Sequence, residues 1–211
     1  MEAVSRGSAI DWCEATENLP GQQESGDRSL VAPYAGGVLV GVVDGLGHGA
    51  DAARCAEIAV SCFKEHPEEP LPEMIRRCHG RLRGMRGIAV TLASFDFAAS
   101  TMTWLAIGNV AGILLPAPSD AQQHSSRLVL RGGVVGDKLP SLGPTTLGVS
   151  EGDTLMLATD GIAAGFADTI RLVSSPEVMA KQIIENHATG RDDALIMVVR
   201  YLGAERHGSM R

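Results

Sequence analysis

The chain has 211 residues, of which 45% are hydrophobic and 20% are charged, and its formal net charge is −7. This length and composition fit one globular domain, so we expect a single domain over residues 1–211 with a frayed tail at 203–211. The negative charge excludes the broad cationic surface that a nucleic-acid backbone requires, so no nucleic-acid partner is expected. No signal peptide is recognisable and no apolar run could span a membrane, which predicts a soluble, cytoplasmic protein without a membrane partner.

The first half of the chain predicts a buried strand followed by two helices. Residues 36–44 form a nearly continuous apolar, β-branched run, which is typical of a buried strand. Residues 49–65 are too long for a strand and rich in small residues, which predicts a helix packed closely on a flat surface. This helix contains Cys55 and Cys62, which we expect to be buried, reduced thiols. Near-helical apolar spacing predicts a second helix over 71–82, with Pro72 tolerated in its first turn.

The second half changes to a strand-rich pattern. Polar residues 116–126 predict a surface loop, and the glycine- and proline-rich segment 134–153 predicts a long connection. A helix is predicted over 175–188, with Ser175 as its N-cap. Strands are predicted at 87–97, 101–109, 110–116, 127–133, 153–161 and 192–201. Because strands are grouped beside helices and do not alternate with them, we predict an α+β fold with helices covering antiparallel sheets.

Aspartates recur at the ends of the predicted strands. Asp44 and Asp160 each end an apolar strand and precede a glycine, Asp192 begins the last strand, and Asp27 precedes the first. Any one of them could simply cap a turn, which Asp-Gly does well. Four such acids without a matching set of lysines nearby suit a hard divalent cation, which prefers oxygen ligands. We therefore favour a metal site over four separate caps.

Gly45 gives this site a further donor, because a residue without a side chain can turn its carbonyl toward a metal held by Asp44. Two metal ions that share a carboxylate lower the pKa of a bridging water and clamp a phosphate oxygen. That arrangement hydrolyses a phosphoester without a covalent enzyme intermediate. The aspartate pattern thus indicates phosphatase chemistry.

Four segments now carry a family resemblance: ESGD (24–27), VVDGLGHGADAA (42–53), ATDGI (158–162) and RDDALIMVV (191–199). In this order and spacing they resemble the PPM, or type 2C, metal-dependent protein serine/threonine phosphatases. The similarity is greatest to the compact SpoIIE/RsbX-like bacterial branch, and within it to stressosome phosphatases of the RsbX type. The resemblance implies a four-layer αββα sandwich, in which two antiparallel β-sheets are flanked by helices. It also implies two Mn²⁺ or Mg²⁺ ions as cofactors.

The resemblance assigns roles to individual residues. Asp44 would bridge both metals, Gly45 would offer its carbonyl to one, and Asp160 and Asp192 would bind the other. Asp27 would act in catalysis by orienting metal-bound water. Asp193 and His48 would be supporting residues: Asp193 falls where many relatives have asparagine. The implied substrates are phosphorylated stressosome proteins or STAS-domain regulators in bacterial stress signalling.

The sequence departs from the family at three positions. Leu46 replaces the histidine proposed to protonate the leaving oxygen. His48 could supply that proton as a general acid, or it could instead have a capping role. In the second case, a metal-bound water is left for the protonation step. Gln22 replaces the arginine that grips substrate phosphate, which leaves the substrate-binding residues unknown; Arg28 is adjacent but expected to be solvated. Asn109 stands where relatives often have an acid that helps to hold a third metal.

Three alternatives bear on function. The pattern G-x-G-x-x-A from Gly45 to Ala50 fits a dinucleotide-binding fingerprint, but no second strand ends in an acid about twenty residues further on. A catalytically inactive domain that only binds a phosphoprotein is the alternative function, although it would be expected to lose one of the four acids. The arginine-rich stretch 76–86 is interpreted as a solvated helix face, with a docking patch for an anion or partner as its alternative.

Overall fold

The computed structural model describes residues 9–118, 125–170, 172 and 174–203. Within them the chain forms ten strands, three α-helices and one short 3₁₀-helix over Phe166–Thr169. The strands are β1 (Ile10–Glu17), β2 (Asp27–Tyr34), β3 (Gly37–Gly45), β4 (Ile88–Asp96), β5 (Thr101–Ile107), β6 (Ala111–Leu115), β7 (Ser126–Arg127), β8 (Thr145–Gly148), β9 (Thr154–Ala158) and β10 (Ala194–Tyr201). The helices are α1 (Ala50–Lys64), α2 (Leu71–Arg81) and α3 (Pro176–His187).

The strands build two five-stranded antiparallel sheets that pack face to face. One has the order β1-β10-β9-β6-β7 and the other the order β2-β3-β4-β5-β8. Helices α1 and α2 cover the outer face of the second sheet, and α3 covers the outer face of the first. This confirms the predicted α+β fold, a four-layer αββα sandwich.

Each interface between layers has its own apolar core. Between the sheets, strand side chains such as Trp104, Leu157 and Met197 interdigitate. Under α1 and α2 the core includes Phe63 and the buried thiols of Cys55, Cys62 and Cys78, which are all unbridged. A third cluster joins α3 to the other sheet. Because both faces of the central strands are buried, those strands read as continuous apolar runs, as the sequence of 36–44 does.

Most predicted elements are confirmed within one or two residues. The run 36–44 is β3, the small-residue helix is α1, and the second helix is α2 with Pro72 near its start. The N-cap prediction is confirmed, because the Val178 N–H donates a 3.4 Å hydrogen bond to Oγ of Ser175. Burial of the reduced thiols of Cys55 and Cys62 is confirmed as well.

Three strands were not predicted, and all three lie at the edge of a sheet. β1 is acidic and only half-buried, β2 contains Pro33, and β8 is short and largely exposed. Edge strands bury one side less completely, so their apolar alternation is weak, and an edge tolerates a proline that a central strand would not. The predicted connection 134–153 therefore contains β8, and Asp27 opens a strand that precedes β3.

The predicted strand over 127–133 is wrong for most of its length. Only Ser126 and Arg127 pair with β6, the Leu128 N–H makes one more hydrogen bond of 2.8 Å to the Gly112 carbonyl, and Val129 is 73% exposed. Leu128 still packs on the core between the sheets, but Val129 and Leu130 are exposed, so hydrophobicity alone did not identify a strand here. Residues 119–124 of the predicted loop and residues 204–211 of the predicted tail lie outside the described residues. In the described part of the chain, no helix is long and apolar enough to cross a membrane.

Candidate active site

Four of the predicted site acids come together where strands of both sheets end. Asp27 and Asp44 face each other as the terminal Cα pair of β2 and β3. In the other sheet, Asp160 follows β9 and Asp192 precedes β10. These two ends are joined by the Thr159 N–H, which donates a 3.0 Å hydrogen bond to the Leu195 carbonyl. The sandwich therefore brings acids from four separate segments to one end.

Asp27 is held across the gap between the sheets. Its side chain is buried, and Thr159 Oγ1 donates a 2.7 Å hydrogen bond to its Oδ2. The Leu195 N–H in turn donates to Thr159 Oγ1 at 2.9 Å, so the hydroxyl is fixed from both sides. The Asp27 N–H donates to Ser25 Oγ at 3.0 Å. These contacts fix one carboxylate oxygen of Asp27 and leave Oδ1 without a hydrogen-bond partner among the described residues.

Burial and mutual repulsion disfavour the charged forms of two of these acids. Burial, and next the nearby Asp44, raise the pKa of Asp27 to about 8. Burial, and next Asp160 and Asp192, raise the pKa of Asp44 to about 7. Within the described ranges no lysine or arginine forms an ion pair with any of these carboxylates. The acids thus form a cluster of like charge to which the described residues contribute no cationic side-chain partner.

Asn109 connects two members of the cluster. Its Nδ2 donates a 2.6 Å hydrogen bond to Asp160 Oδ2, and the same side chain interacts with Asp44, which partly offsets the rise in the pKa of that carboxyl. Asn109 lies in the hairpin between β5 and β6, next to Gly108, whose positive φ of 90° makes that tight turn possible. An amide at this position can donate to carboxylates, whereas an acid would add a further negative charge.

Asp193 has a different environment from its neighbour Asp192. Asp193 is buried and accepts hydrogen bonds from the N–H groups of Leu19 and Gly26 at 2.8 and 2.7 Å. Asp192 is exposed, and its Oδ1 accepts the Asp193 N–H at 2.8 Å. Asp193 therefore fixes the segment 19–26 that leads into Asp27.

Gly45 lies where no side chain would fit. A Cβ on this residue would come 2.2 Å from the carbonyl oxygen of Ala52 in α1. The Gly45 N–H donates to the Gly26 carbonyl at 3.1 Å, and a Cβ on Gly26 would lie 3.2 Å from the Gly45 carbonyl oxygen. Gly45 therefore allows α1, the end of β3 and the segment that carries Asp27 to approach one another closely.

The remaining predicted residues surround the acids without joining them. His48 is exposed, and no hydrogen bond or ion pair links it to the acids in the described chain. Gln22 lies beside the loop before α1, because its Oε1 is 3.2 Å from where a Cβ of Gly49 would stand. We expected Arg28 to be solvated, but its side chain is partly buried. Its guanidinium donates to the carbonyls of Ser25 and Asp27 at 2.7 and 2.9 Å.

The arginine-rich stretch is largely neutralised by acids. Of its five arginines, four form ion pairs: Arg76 with Glu73, Arg77 with Glu69, Arg81 with Glu65 and Arg86 with Asp51. Arg83 is exposed and forms no ion pair with another described residue. A solvated, paired helix face therefore accounts for most of this stretch.

The donor set fits hard divalent cations by type. The converging groups are aspartate carboxylates, which are ligands that Mg²⁺ and Mn²⁺ accept, and the predicted carbonyl ligand belongs to the residue that follows Asp44. The side chains do not already form a ligand group: within the described ranges no three His, Cys, Asp or Glu residues are arranged to hold a metal ion. Asp160 and Asp192 are exposed, and each has one carboxylate oxygen that accepts a hydrogen bond and one that accepts none from the described residues.

Sequence reasoning missed the hydrogen bond of Asn109 to Asp160 and the hydrogen bond by which Thr159 fixes Asp27. Both residues had a local signal, since Thr159 directly precedes Asp160 and Asn109 sits in a glycine turn between two predicted strands. Their partners lie 132 and 51 residues away in sequence, which no local pattern encodes.

Comparison with known proteins gives a consistent result. The family model "Stage II sporulation protein E (SpoIIE)" matches residues 34–202. A solved structure described as "The bacterial stressosome: a modular system that has been adapted to control secondary messenger signaling" is 27% identical, with a TM-score of 0.82 over 90% of this chain and 99% of that one. No curated protein sequence gives a significant match.

Two further solved structures share the fold at lower identity. RsbX in complex with magnesium is 20% identical, with a TM-score of 0.79, and the match covers 90% of this chain and 94% of that one. The catalytic domain of the serine/threonine phosphatase PstP with two manganese ions is 16% identical, with a TM-score of 0.70 and coverage of 92% and 98%. The family match extends from the end of β2 to the end of β10, so the chain belongs to the SpoIIE family of PPM-type protein serine/threonine phosphatases.

Proposed function

We propose that this protein is a metal-dependent phosphatase that removes phosphate from phosphoserine or phosphothreonine in a protein substrate. The observation that carries the proposal is the convergence of Asp27, Asp44, Asp160 and Asp192 at one end of the sandwich. Burial and repulsion raise the pKa of the first two, and no described cationic side chain pairs with the four. Such a cluster costs stability, so an evolved role in binding cations explains it better than four structural caps.

In this proposal Asp44, the Gly45 carbonyl, Asp160 and Asp192 hold two Mn²⁺ or Mg²⁺ ions. When bound, such ions lower the pKa of a water ligand and offset the negative charge of the phosphate. Magnesium and manganese are the ions named in the RsbX and PstP structures. The chemistry of this donor set supports the same ions here.

The protein's own groups would orient the reactants. Thr159 fixes Oδ2 of Asp27, which leaves Oδ1 to accept a hydrogen bond from the attacking water. Asn109 holds Asp160 through its amide, beside Asp44. Asp193, through Leu19 and Gly26, keeps the segment that carries Asp27 in place. Each contact limits the motion of a group that must be aligned with the phosphoester bond.

The substrate class follows from the relatives and is part of the proposal. The description of the structure that is 27% identical names the bacterial stressosome, and the structure that is 20% identical is RsbX. We therefore propose that the substrates are phosphorylated stressosome proteins or STAS-domain regulators, and that the protein acts in the cytoplasm. Release of phosphate from a purified, phosphorylated stressosome scaffold protein tests this substrate class. Turnover of a generic phosphopeptide without turnover of the scaffold would contradict it.

The reaction itself is tested by phosphate release from a small phosphoester. We expect turnover with Mn²⁺, none with excess chelator, and a loss on the order of 10³-fold in Asp44→Asn, since several kcal/mol of transition-state stabilisation depend on the metals. Asp96→Asn is the matched control, because Asp96 lies at the opposite end of β4 from the acid cluster. The cluster end of β4 is Ile88, which pairs with Gly45. Equal activity of Asp44→Asn and the wild type would refute the metal mechanism. No turnover by the wild type with either metal would favour a domain that only binds phosphoprotein.

A further inference from the structure

A cavity of about 380 Å³ lies between α1 and the turn that follows α2, outside the acid cluster. Its lining includes the side chains of Arg54 and Arg86 and one acid, Asp51. The buried thiol of Cys55 and the half-buried Met85 add an apolar part. The charged lining is therefore net positive, in contrast to the neighbouring acidic site.

This cavity is next to the loop that follows Asp44. The Leu46 N–H donates a 3.1 Å hydrogen bond to the Gly87 carbonyl, so the turn at 84–87 is attached to the loop that follows Asp44. Arg86 Nη1 lies only 2.7 Å from where a Cβ of Gly47 would stand. Gly47 comes three residues after Asp44, a stretch that spans at most about 10 Å. A peptide whose phosphate lies at Asp44 would bring residues two or three positions away to this cavity.

The guanidinium of Arg86 already holds a carboxylate in this structure. Its Nη2 is 3.1 Å from Asp51 Oδ2, in an ion pair whose side chains are 49% and 73% exposed. An exposed pair of this kind is weak, so another carboxylate can exchange with Asp51 at low cost. Arg54 also lines the cavity, and no ion pair joins it to another described residue. The two arginines can therefore receive one external acid.

We propose that Arg54 and Arg86 form a subsite for an acidic side chain of the phosphoprotein substrate, two or three residues away from the phosphorylated one. The inference rests on the proposed phosphatase function and adds a sequence preference to it. Among the described residues, the aspartate cluster itself offers such an acidic side chain no arginine or lysine partner. The cavity supplies positive charge at the distance where such a residue arrives, which favours the correct register of the peptide.

The test compares phosphoserine peptides that differ only in flanking charge. One pair carries Glu or Gln at the second and third positions before the phosphoserine, and another pair carries them after it. With the wild type and Mn²⁺ we expect the Glu peptide of one pair to have a KM roughly three- to ten-fold lower than its Gln counterpart. Equal KM values within both pairs would overturn the subsite.

Three variants separate recognition from a structural role of Arg86. Arg86→Gln should abolish the preference for Glu, and Arg83→Gln, which removes the same charge from the same exposed turn, should retain it. Asp51→Asn removes the competing internal carboxylate, so it should increase the preference. If Arg86 only links the turn to α1, Asp51→Asn would instead behave like Arg86→Gln, and that result would refute the proposal.

The outcome for the subsite can be distinguished from that for the reaction. Equilibrium binding of the same peptides to the wild type and to the three variants measures the preference without turnover. No phosphate release from any peptide, together with tighter binding of Glu peptides that depends on Arg86, would refute the phosphatase function and keep the subsite. Release from all peptides with no preference in KM or in binding would keep the function and refute the subsite.

Discussion

The acidic end of the sandwich and the arginine-rich side of α2 differ in how their charged side chains are paired. Around α2, four of the five arginines from 76 to 86 have an acid within ion-pair distance. At the acidic end, Asp27, Asp44, Asp160 and Asp192 meet one another and an amide, but no described cationic side chain. Paired charges close to solvent are typical of structural surfaces, whereas a half-buried cluster of one sign is typical of a binding site.

This difference also shows which region is optimised for stability. Most ion pairs on the arginine side are exposed, so the loss of a single charge there should cost little stability. At the acidic end, repulsion among the aspartates disfavours their close approach. Tight backbone packing around Gly45 and Gly161 keeps the segments that carry them together. Stability is commonly sacrificed at functional sites in this way. Three substitutions test whether the two regions really differ.

The largest expected effect concerns backbone packing at the acidic end. Gly45→Ala should lower the free energy of unfolding by roughly 2–4 kcal/mol, because its Cβ would overlap the backbone of Ala52 and force α1 away. Chemical denaturation of both proteins measures the change. Gly148→Ala is the control, since a Cβ on Gly148 meets nothing within 4 Å. A Gly45→Ala protein as stable as the control variant would show that α1 is not packed against β3 as described.

A smaller effect follows from repulsion among the acids. The folded-state pKa values of Asp27 and Asp44, about 8 and about 7, lie above those of an unfolded chain, so the native state binds more protons. In chelator, stability should therefore fall as pH rises from about 4 to about 8. Asp44→Asn should weaken this fall and raise the unfolding midpoint at pH 8 by about 2–4 °C, equivalent to roughly 1 kcal/mol.

Thermal unfolding between pH 5 and pH 8 checks this expectation, with Asp96→Asn as the control. Mn²⁺ should raise the midpoint of the wild type and have little effect on Asp44→Asn, because binding to the native state stabilises it. A wild type that becomes more stable as pH rises in chelator would contradict the repulsion among these acids.

The smallest effect is expected on the arginine side. Arg77 is half-buried, forms an ion pair with Glu69, and donates a 3.5 Å hydrogen bond to the Cys62 carbonyl. Arg77→Ala should lower stability by about 0.5 kcal/mol and leave hydrolysis of a small phosphoester unchanged. Denaturation and phosphate release on the same preparation measure both. A loss of activity without a loss of stability would mean that this side takes part in catalysis.

Much of the fold could be predicted from periodicity, because the central strands and the three helices bury well-defined apolar faces. The positions of Asp44 and Asp160 at strand ends were evident from Asp-Gly pairs that follow apolar runs. The edge strands β1, β2 and β8 were not evident, because half-burial weakens alternation and β2 carries Pro33. The segment 127–133 was misjudged for the opposite reason, since Val129 and Leu130 are apolar but exposed.

The sequence by itself determined the central elements, the chemical type of the candidate ligands and the family to which they point. Those properties are local, since they depend on residue type, spacing and order along the chain. Only the tertiary structure decided which side chains meet: Thr159 with Asp27, Asn109 with Asp160, and Arg86 with the loop at Gly47. These contacts are set by strand register and by the packing of one layer on another, which bring distant segments together. The shifted pKa values of Asp27 and Asp44 likewise follow from burial and neighbours that only the folded chain supplies.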